Sequence, residues 1–205
     1  MESKNPIERF TKWYDLATKT ETIKEPFAMT LATINSSGHP SARMVALEGF
    51  SEDGFKFNTN LNSVKAQQLA STPYAALVFY WGDLGASVRI EGCVKKYSEE
   101  ENIQSFSGLP RPIQVLAHAS THQSSPLDSM DKLTSLVQSI DQKNKEHELS
   151  RPDYWGGYFV VPDRIEFYKL NDLHIADRTL FVRKESGPGP WMQGENGWVY
   201  QKLQP

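Results

Sequence analysis

Residues 27–60 read FAMTLATINSSGHPSARMVALEGFSEDGFKFNTN. Three runs with a period of two, 27–35, 40–50 and 54–60, are separated by SSGH and SEDG. Alternation sends successive side chains to opposite faces of a strand, and short loops of Ser, Gly and Asp close hairpins. The stretch therefore predicts three consecutive antiparallel strands. YAALVFYW (74–81) and ASVRIEGCVKKYS (86–98) continue the pattern. In the second, Val88, Ile90, Gly92 and Val94 share one face, and Arg89, Glu91, Cys93 and Lys95 the other. The last third returns to strands with GYFVVP, RIEFYKL, TLFVRK and GWVYQKL.

Helical periods lie around and between these runs. Residues 5–18 place Ile7, Phe10, Trp13, Tyr14 and Ala17 on one stripe, with Asn5-Pro6 as the start. SVKAQQLAS (63–71) is a short helix, and 98–106 opens with a capping box from Ser98 to Glu101. Residues 126–149 align Leu127, Met130, Leu133, Val137 and Ile140. ESGPGP (185–190) reads as a flexible excursion within the domain, not a linker. Strands first, helices inserted and strands last give a fold class that is mostly β with peripheral helices, an antiparallel Greek-key barrel. One domain is expected over 1–205. It consists of an N-terminal helix in 1–24, barrel strands in 25–98, inserted helices in 99–149 and C-terminal strands in 150–205.

The bulk numbers agree with one globular domain. The chain has 205 residues, 39% hydrophobic and 23% charged, enough to bury a core. A formal net charge of −3 gives no basic excess, so neither nucleic acid nor a membrane surface is expected as a partner. The single cysteine, Cys93, excludes an internal disulfide and reads as a small, half-buried strand residue. The start MESKNPIERF has no apolar core of signal-peptide type, and no run approaches a membrane span. A cytoplasmic protein is the expectation.

One segment carries a chemical signal. In FNTNLNSVKAQQLA (57–70) a strand ends, a polar turn follows, and a helix starts with Asn62 or Ser63 at its cap. The first turn of a helix presents unpaired N–H groups, so it suits a phosphate. Lys65 in that turn is unfavourable for the helix alone, so an anion would explain it. Thr59 adds a hydroxyl, and Arg43 reaches the same anion if its strand is adjacent. A surface lysine on a capped helix is the plainer alternative. His118 and His122 stand four residues apart with no patterned third ligand, and no metal is expected.

ARMVAL, FNTNLNSVKAQQL, VRIEGCVKK, HQSS, WGGYFV, IEFYKL, ADRTLF and WVYQKLQP occur in the order seen in the pyridoxamine 5′-phosphate oxidase family, which the chain resembles from about Glu25 to Pro205. The resemblance implies an FMN-binding split β-barrel and a homodimer with FMN at the subunit interface. Its reaction oxidises pyridoxine or pyridoxamine 5′-phosphate, forms of vitamin B6, to pyridoxal 5′-phosphate. A hydride passes to FMN, and O2 takes the electrons to give H2O2. Arg43, Thr59 and Lys65 match the residues at the FMN phosphate, with Asn58, Ser63 and Val64 beside them. Met44, Val45 and Ala46 match the wall near the flavin. Gln123 and Ser124 match a Gln-Ser pair, and Arg178 matches the arginine of a His-Asp-Arg motif. Three positions depart from the family. Val64 stands for a second arginine, Ser87 for a glutamine and Tyr168 for a tryptophan. The resemblance therefore implies a weakened FMN site.

The substrate side departs further. The family holds the substrate phosphate with a lysine, a tyrosine, an arginine and a serine, where this chain has Glu48, Ser105, Leu109 and Ile113. Its Arg-Leu-His triplet over the substrate ring reads His174, Ile175, Ala176, which leaves His174 as the candidate catalytic group. Arg111, two residues from Leu109, is the one neighbour placed to restore a cation. The resemblance thus leaves three readings: weak oxidation of the family substrate, an oxidase of another substrate, or an inactive paralogue with a binding or regulatory role. A flavin reductase or haem-utilisation protein of the same barrel is a more distant alternative, and WGGY with QKLQP argues for the oxidase branch.

Overall fold

The structure is a computed structural model and describes residues 2–183 and 189–205. Most of the ESGPGP stretch lies outside the described residues. The elements run α1 (Pro6–Lys19), β1 (Ala28–Ile34), β2 (Pro40–Ala46), β3 (Gly49–Ser51), β4 (Gly54–Asn60), α2 (Val64–Ser71), β5 (Tyr74–Trp81), β6 (Ala86–Lys96), α3 (Glu99–Ser107), α4 (Arg111–Ala119), α5 (Met130–Lys143), β7 (Trp155–Leu170), β8 (Ala176–Val182), β9 (Met192–Gln193) and β10 (Val199–Leu203). All pairings are antiparallel, in the order β2-β1-β5-β6-β7-β8-β10-β9. β4 pairs with both β3 and β7.

β7 organises the sheet. GYFVVP and RIEFYKL, expected as two strands, form one of 16 residues. One edge pairs with β6 throughout, while the other takes β4 in its first half and β8 in its second. The sheet is open, as a split barrel requires. A register shift between Glu91 and Gly92 bends the β6–β7 pair. Gly92 is needed there because a Cβ would stand 2.0 Å from the Val161 carbonyl oxygen.

Residues 40–50, expected as one strand, break at Leu47–Glu48. Leu47 N–H donates to Phe27 O and Glu48 N–H to Lys56 O, so the chain changes partner from β1 to β4. The Leu47 side chain is buried at this corner.

The core lies on the inner face, with Leu31, Leu77, Phe79, Val88, Ile90, Ile165 and Phe167 fully buried. α1 packs onto it as its stripe predicts. Asn5 caps the helix, and Phe10 meets Phe55 and Phe79 edge-on at 4.9 and 5.0 Å. Ser98 and Glu101 form the expected capping box of α3. α5 departs from expectation. It begins at Met130, no residue of it is buried, and Leu127 and Met130 are exposed, because it rests on α4 instead of entering the core. Cys93 is also exposed, since the outward face of β6 at that point is uncovered. Among the described residues no helix is long and apolar enough to cross a membrane.

Candidate functional site

The residues expected at the cofactor phosphate converge where β4 ends and α2 begins. Ser63 caps α2, its hydroxyl accepting from Ala66 N–H, so its role is local. Lys65 Nζ donates to Thr59 Oγ1 at 3.1 Å and to Gln123 Oε1 at 2.8 Å. Gln123 comes from the segment after α4, which side-chain amides hold in place. Asn60 Nδ2 donates to Ser120 O at 2.6 Å, and Asn62 Nδ2 to Thr121 O at 3.1 Å. Ser124, next to Gln123, adopts φ 79°, an uncommon conformation for a residue with a side chain.

Arg43 lies beside this group. Its guanidinium donates to Thr33 Oγ1 at 2.5 Å, to Ser41 Oγ at 2.8 Å and to Gln68 Oε1 at 3.1 Å. Desolvation, reinforced by the charge of Arg43, pushes the Lys65 ammonium down to about 8. Burial lowers Arg43 as well. Two cations and a hydroxyl, none with a carboxylate partner among the described residues, form a cradle for an anion. Val64, in the first turn of α2, is exposed and adds no charge.

A second group forms on the outward face of β6, β7 and β8. Ser87 is paired with Tyr168, and Tyr168 with Arg178. In the next outward-facing rung, Val78 is opposite Arg89 and Arg89 is opposite Glu166. These rungs line a cavity of about 590 Å³ together with His174, Ala176 and Pro205. The buried Glu166 accepts from Arg178 Nε and Nη2 at 2.8 and 2.7 Å, and from Arg89 Nη2 at 2.7 Å. His174 sits in a tight turn at φ 59°, its N–H donating to Asn171 O.

A third group forms where β3 and β4 meet α3. Glu48 and Ser105 line a cavity of about 300 Å³ with Lys56, Tyr97, Glu101, Gln104 and Gly108. Desolvation raises the Glu48 carboxyl. Burial and then the charges of Glu48 and Glu101 raise the Tyr97 phenol. Asn58 Nδ2 donates to Ser105 Oγ at 2.7 Å, which joins a residue expected near the cofactor to one expected at the substrate.

The other expected residues are placed apart. Leu109 and Ile113 do not line this cavity. Arg111 is committed elsewhere, donating to Asp141 Oδ1, His147 O and Asn144 O at the end of α5. It therefore restores no cation to the pocket. Along β2, Met44 and Ala46 face outward and are exposed, while Arg43 and Val45 face the other way. Sequence reasoning missed Gln68, Asn60, Arg89 and Glu166, and offered Asn62 only as a cap of α2, a place that Ser63 takes. The amides in FNTNLN gave a hint through their habit of capping backbone groups, but the Arg89–Glu166 pair depends on strand register.

An open antiparallel barrel with a cation cradle at a helix start defines the split-barrel class of flavoproteins. The profile described as pyridoxamine 5′-phosphate oxidase matches residues 17–139, and that of the pyridoxine 5′-phosphate oxidase C-terminal dimerisation region matches 155–205. Pyridoxine-5′-phosphate oxidase of Bos taurus is 41% identical over 99% of this chain and 79% of its own length. The pyridoxine/pyridoxamine 5′-phosphate oxidase of Gloeothece citriformis is 40% identical over 98% of this chain and 89% of its own. Among solved structures, PhzG from Burkholderia lata 383, in complex with tetrahydrophenazine-1-carboxylic acid, superposes with a TM-score of 0.85 at 27% identity. That match covers 98% of this chain and 93% of PhzG. The chain belongs to the pyridoxamine 5′-phosphate oxidase family, and with it to the FMN-dependent oxidoreductases. The expected fold, cofactor and enzyme class agree with this membership.

Proposed function

We propose that the protein is a homodimeric FMN-dependent oxidoreductase whose substrate end has been rebuilt, so that oxidation of pyridoxine or pyridoxamine 5′-phosphate is weak or redirected to another compound. The cradle of Lys65, Thr59, Gln123 and Arg43 supports the cofactor. Its two cations repel each other without an anion, and a phosphate monoester supplies the missing charge and accepts from both. FMN, held there by Lys65, Thr59, Arg43 and Gln123, would supply a hydride acceptor that O2 can reoxidise. This chain's residues bind and orient. The cradle holds the phosphate, and Ser87, Tyr168 and Arg178 offer a wall for the ring.

The two groups belong to different faces of the sheet. Arg43 shares the face of buried Leu31, its partner in β1, whereas Arg178 lies outward on β8. On the sheet, Thr59 of the cradle is opposite Gly156 at one end of β7, whereas Tyr168 lies 12 residues further along that strand, about 40 Å of contour at roughly 3.3 Å per residue. That separation supports an FMN held between the cradle of one protomer and the ring wall of its partner.

The altered substrate rests on Glu48. In the third cavity it faces the same space as Ser105 with Glu101 nearby, and Lys56 is the only cation among the lining residues. A carboxylate there repels a phosphate dianion, and such repulsion in a poorly solvated pocket costs several kcal/mol. The same observation favours a second reading, an FMN-binding paralogue without catalysis. Anaerobic mixing of FMN-loaded protein with pyridoxamine 5′-phosphate tests what both readings share, the loss of the family substrate. Slow or absent bleaching of the oxidised flavin band is expected. Complete bleaching on mixing would sink the altered-substrate reading. If bleaching is absent, a panel of unphosphorylated amines and alcohols then distinguishes a redirected oxidase from an inactive paralogue.

A further inference from the structure

Glu166 holds two guanidiniums at once, one on each carboxylate oxygen. Arg178 binds Oε1 through Nε and Nη2, and its Nη1 donates to Gln204 O at 3.0 Å. Arg89 binds Oε2 and turns its Nε to Glu91 at 3.0 Å. Arg164 stands 3.9 Å from the other oxygen of Glu91. Of the charged side chains that line the cavity of about 590 Å³, Arg89 and Arg178 are cationic and Glu166 is anionic, which leaves one net positive side-chain charge on its wall. The Glu166 side chain is only 7% exposed and that of Arg178 29%, so the charge on Arg178 is held in a partly dehydrated place. A fixed charge in such a place acts more strongly than one in water.

We propose that Arg89 and Glu166 are positioning residues. Glu166 locks Arg178 against the cavity, and Arg89 offsets the charge of Glu166, so that the wall stays cationic. Without Arg89, Arg178 and Glu166 would cancel. A cationic wall favours a flavin ring that carries negative charge over a neutral one, so it stabilises reduced FMN relative to oxidised FMN. This rests on the FMN reading above, with the ring in this cavity.

The test compares wild-type, Arg89→Met and Arg89→Lys proteins, all loaded with FMN. Arg89 is accessible on one side, its side chain 44% exposed, so these replacements do not open the core. Two quantities are read: the two-electron midpoint potential, by equilibration with a reference dye, and the affinity for sulfite, whose addition leaves the flavin negatively charged. For Arg89→Met the preference for reduced over oxidised FMN should fall about tenfold, a drop of about 30 mV. Sulfite binding should weaken in parallel, and Arg89→Lys should recover most of both. A purely structural role for Arg89 would move thermal stability and leave both quantities alone. FMN-loaded Arg89→Met with the wild-type potential and sulfite affinity overturns this inference alone. Wild-type protein that takes up no FMN overturns the cofactor reading, and this inference with it.

Discussion

Lys65 is the side chain on which the cradle depends. Its ammonium is pushed down to about 8 by burial and by Arg43. A phosphate needs the protonated form, so FMN affinity should fall as pH rises through about 8. A fluorescence titration of FMN between pH 7 and 9.5 reads this, and a flat profile would contradict it. In the protein without FMN the sign is opposite. A lysine whose folded value lies below its unfolded one penalises the folded protonated state, so its contribution to stability improves as pH rises from about 8 towards 10.5. Lys65→Met should weaken FMN by roughly ten- to a hundredfold, the range of one charge-assisted hydrogen bond at 1.5–3 kcal/mol. Glu48 gives a second prediction. Desolvation raises its carboxyl, so the folded state disfavours the charge, and stability is lost as pH rises through the raised value. Glu48→Lys should tighten pyridoxamine 5′-phosphate at least tenfold in equilibrium binding to the FMN-loaded protein. Unchanged affinity would mean that the substrate phosphate lies elsewhere. Lys65 and Thr59 were legible in the sequence because turn chemistry is a local property, whereas Glu48 stood out only through the family resemblance. Glu166 was not legible, because an outward glutamate reads as solvated until register sets it between two arginines.

At the level of elements, hydrophobic period located most of the sheet, and its failures have physical causes. The break after Ala46 leaves no mark in the alternation, since the chain continues extended while its hydrogen bonds change partner. The split expected at Pro162 is absent because that proline sits at the β6–β7 irregularity, where a missing N–H is tolerated. The α5 stripe has the spacing of a core helix, but burial depends on what covers it, and periodicity does not report that. Gly92 tests how far the bend in β7 supports the rest. A Cβ at 92 would stand 2.0 Å from Val161 O and 2.7 Å from its carbonyl carbon, both backbone atoms that cannot move alone. Gly92→Ala should therefore cost about 2–4 kcal/mol, read as a lower midpoint in urea. A midpoint within error of wild type would mean that the pair relaxes without loss. Asn60→Ala acts differently. It frees the 120–121 backbone from β4 and should raise the FMN dissociation constant through Gln123. Because Asn60 is buried and bonds three backbone groups, it should also lower the urea midpoint, a loss of about 1–3 kcal/mol.

For the whole molecule, the question is whether one chain can hold the cofactor. The cradle and the ring wall lie on different faces of one sheet, and the C-terminal strands that carry Arg178 fall within the region matching a dimerisation profile. A site shared across a two-fold axis makes a prediction that a site within one chain cannot. Take Lys65→Met, which breaks the cradle, and Arg178→Met, which breaks the ring wall. Each variant alone has two defective sites per dimer. In a mixed dimer, one site unites both lesions and the other unites two intact halves. Random exchange of equal amounts should thus restore wild-type FMN affinity in about one site in four. Equilibrium dialysis of the mixture after subunit exchange would show a new tight class of that size, absent from either variant alone. If every site remains weak in a mixture whose subunits have exchanged, both halves come from the same chain, and the cradle and the ring wall must then meet around the open edge of one barrel.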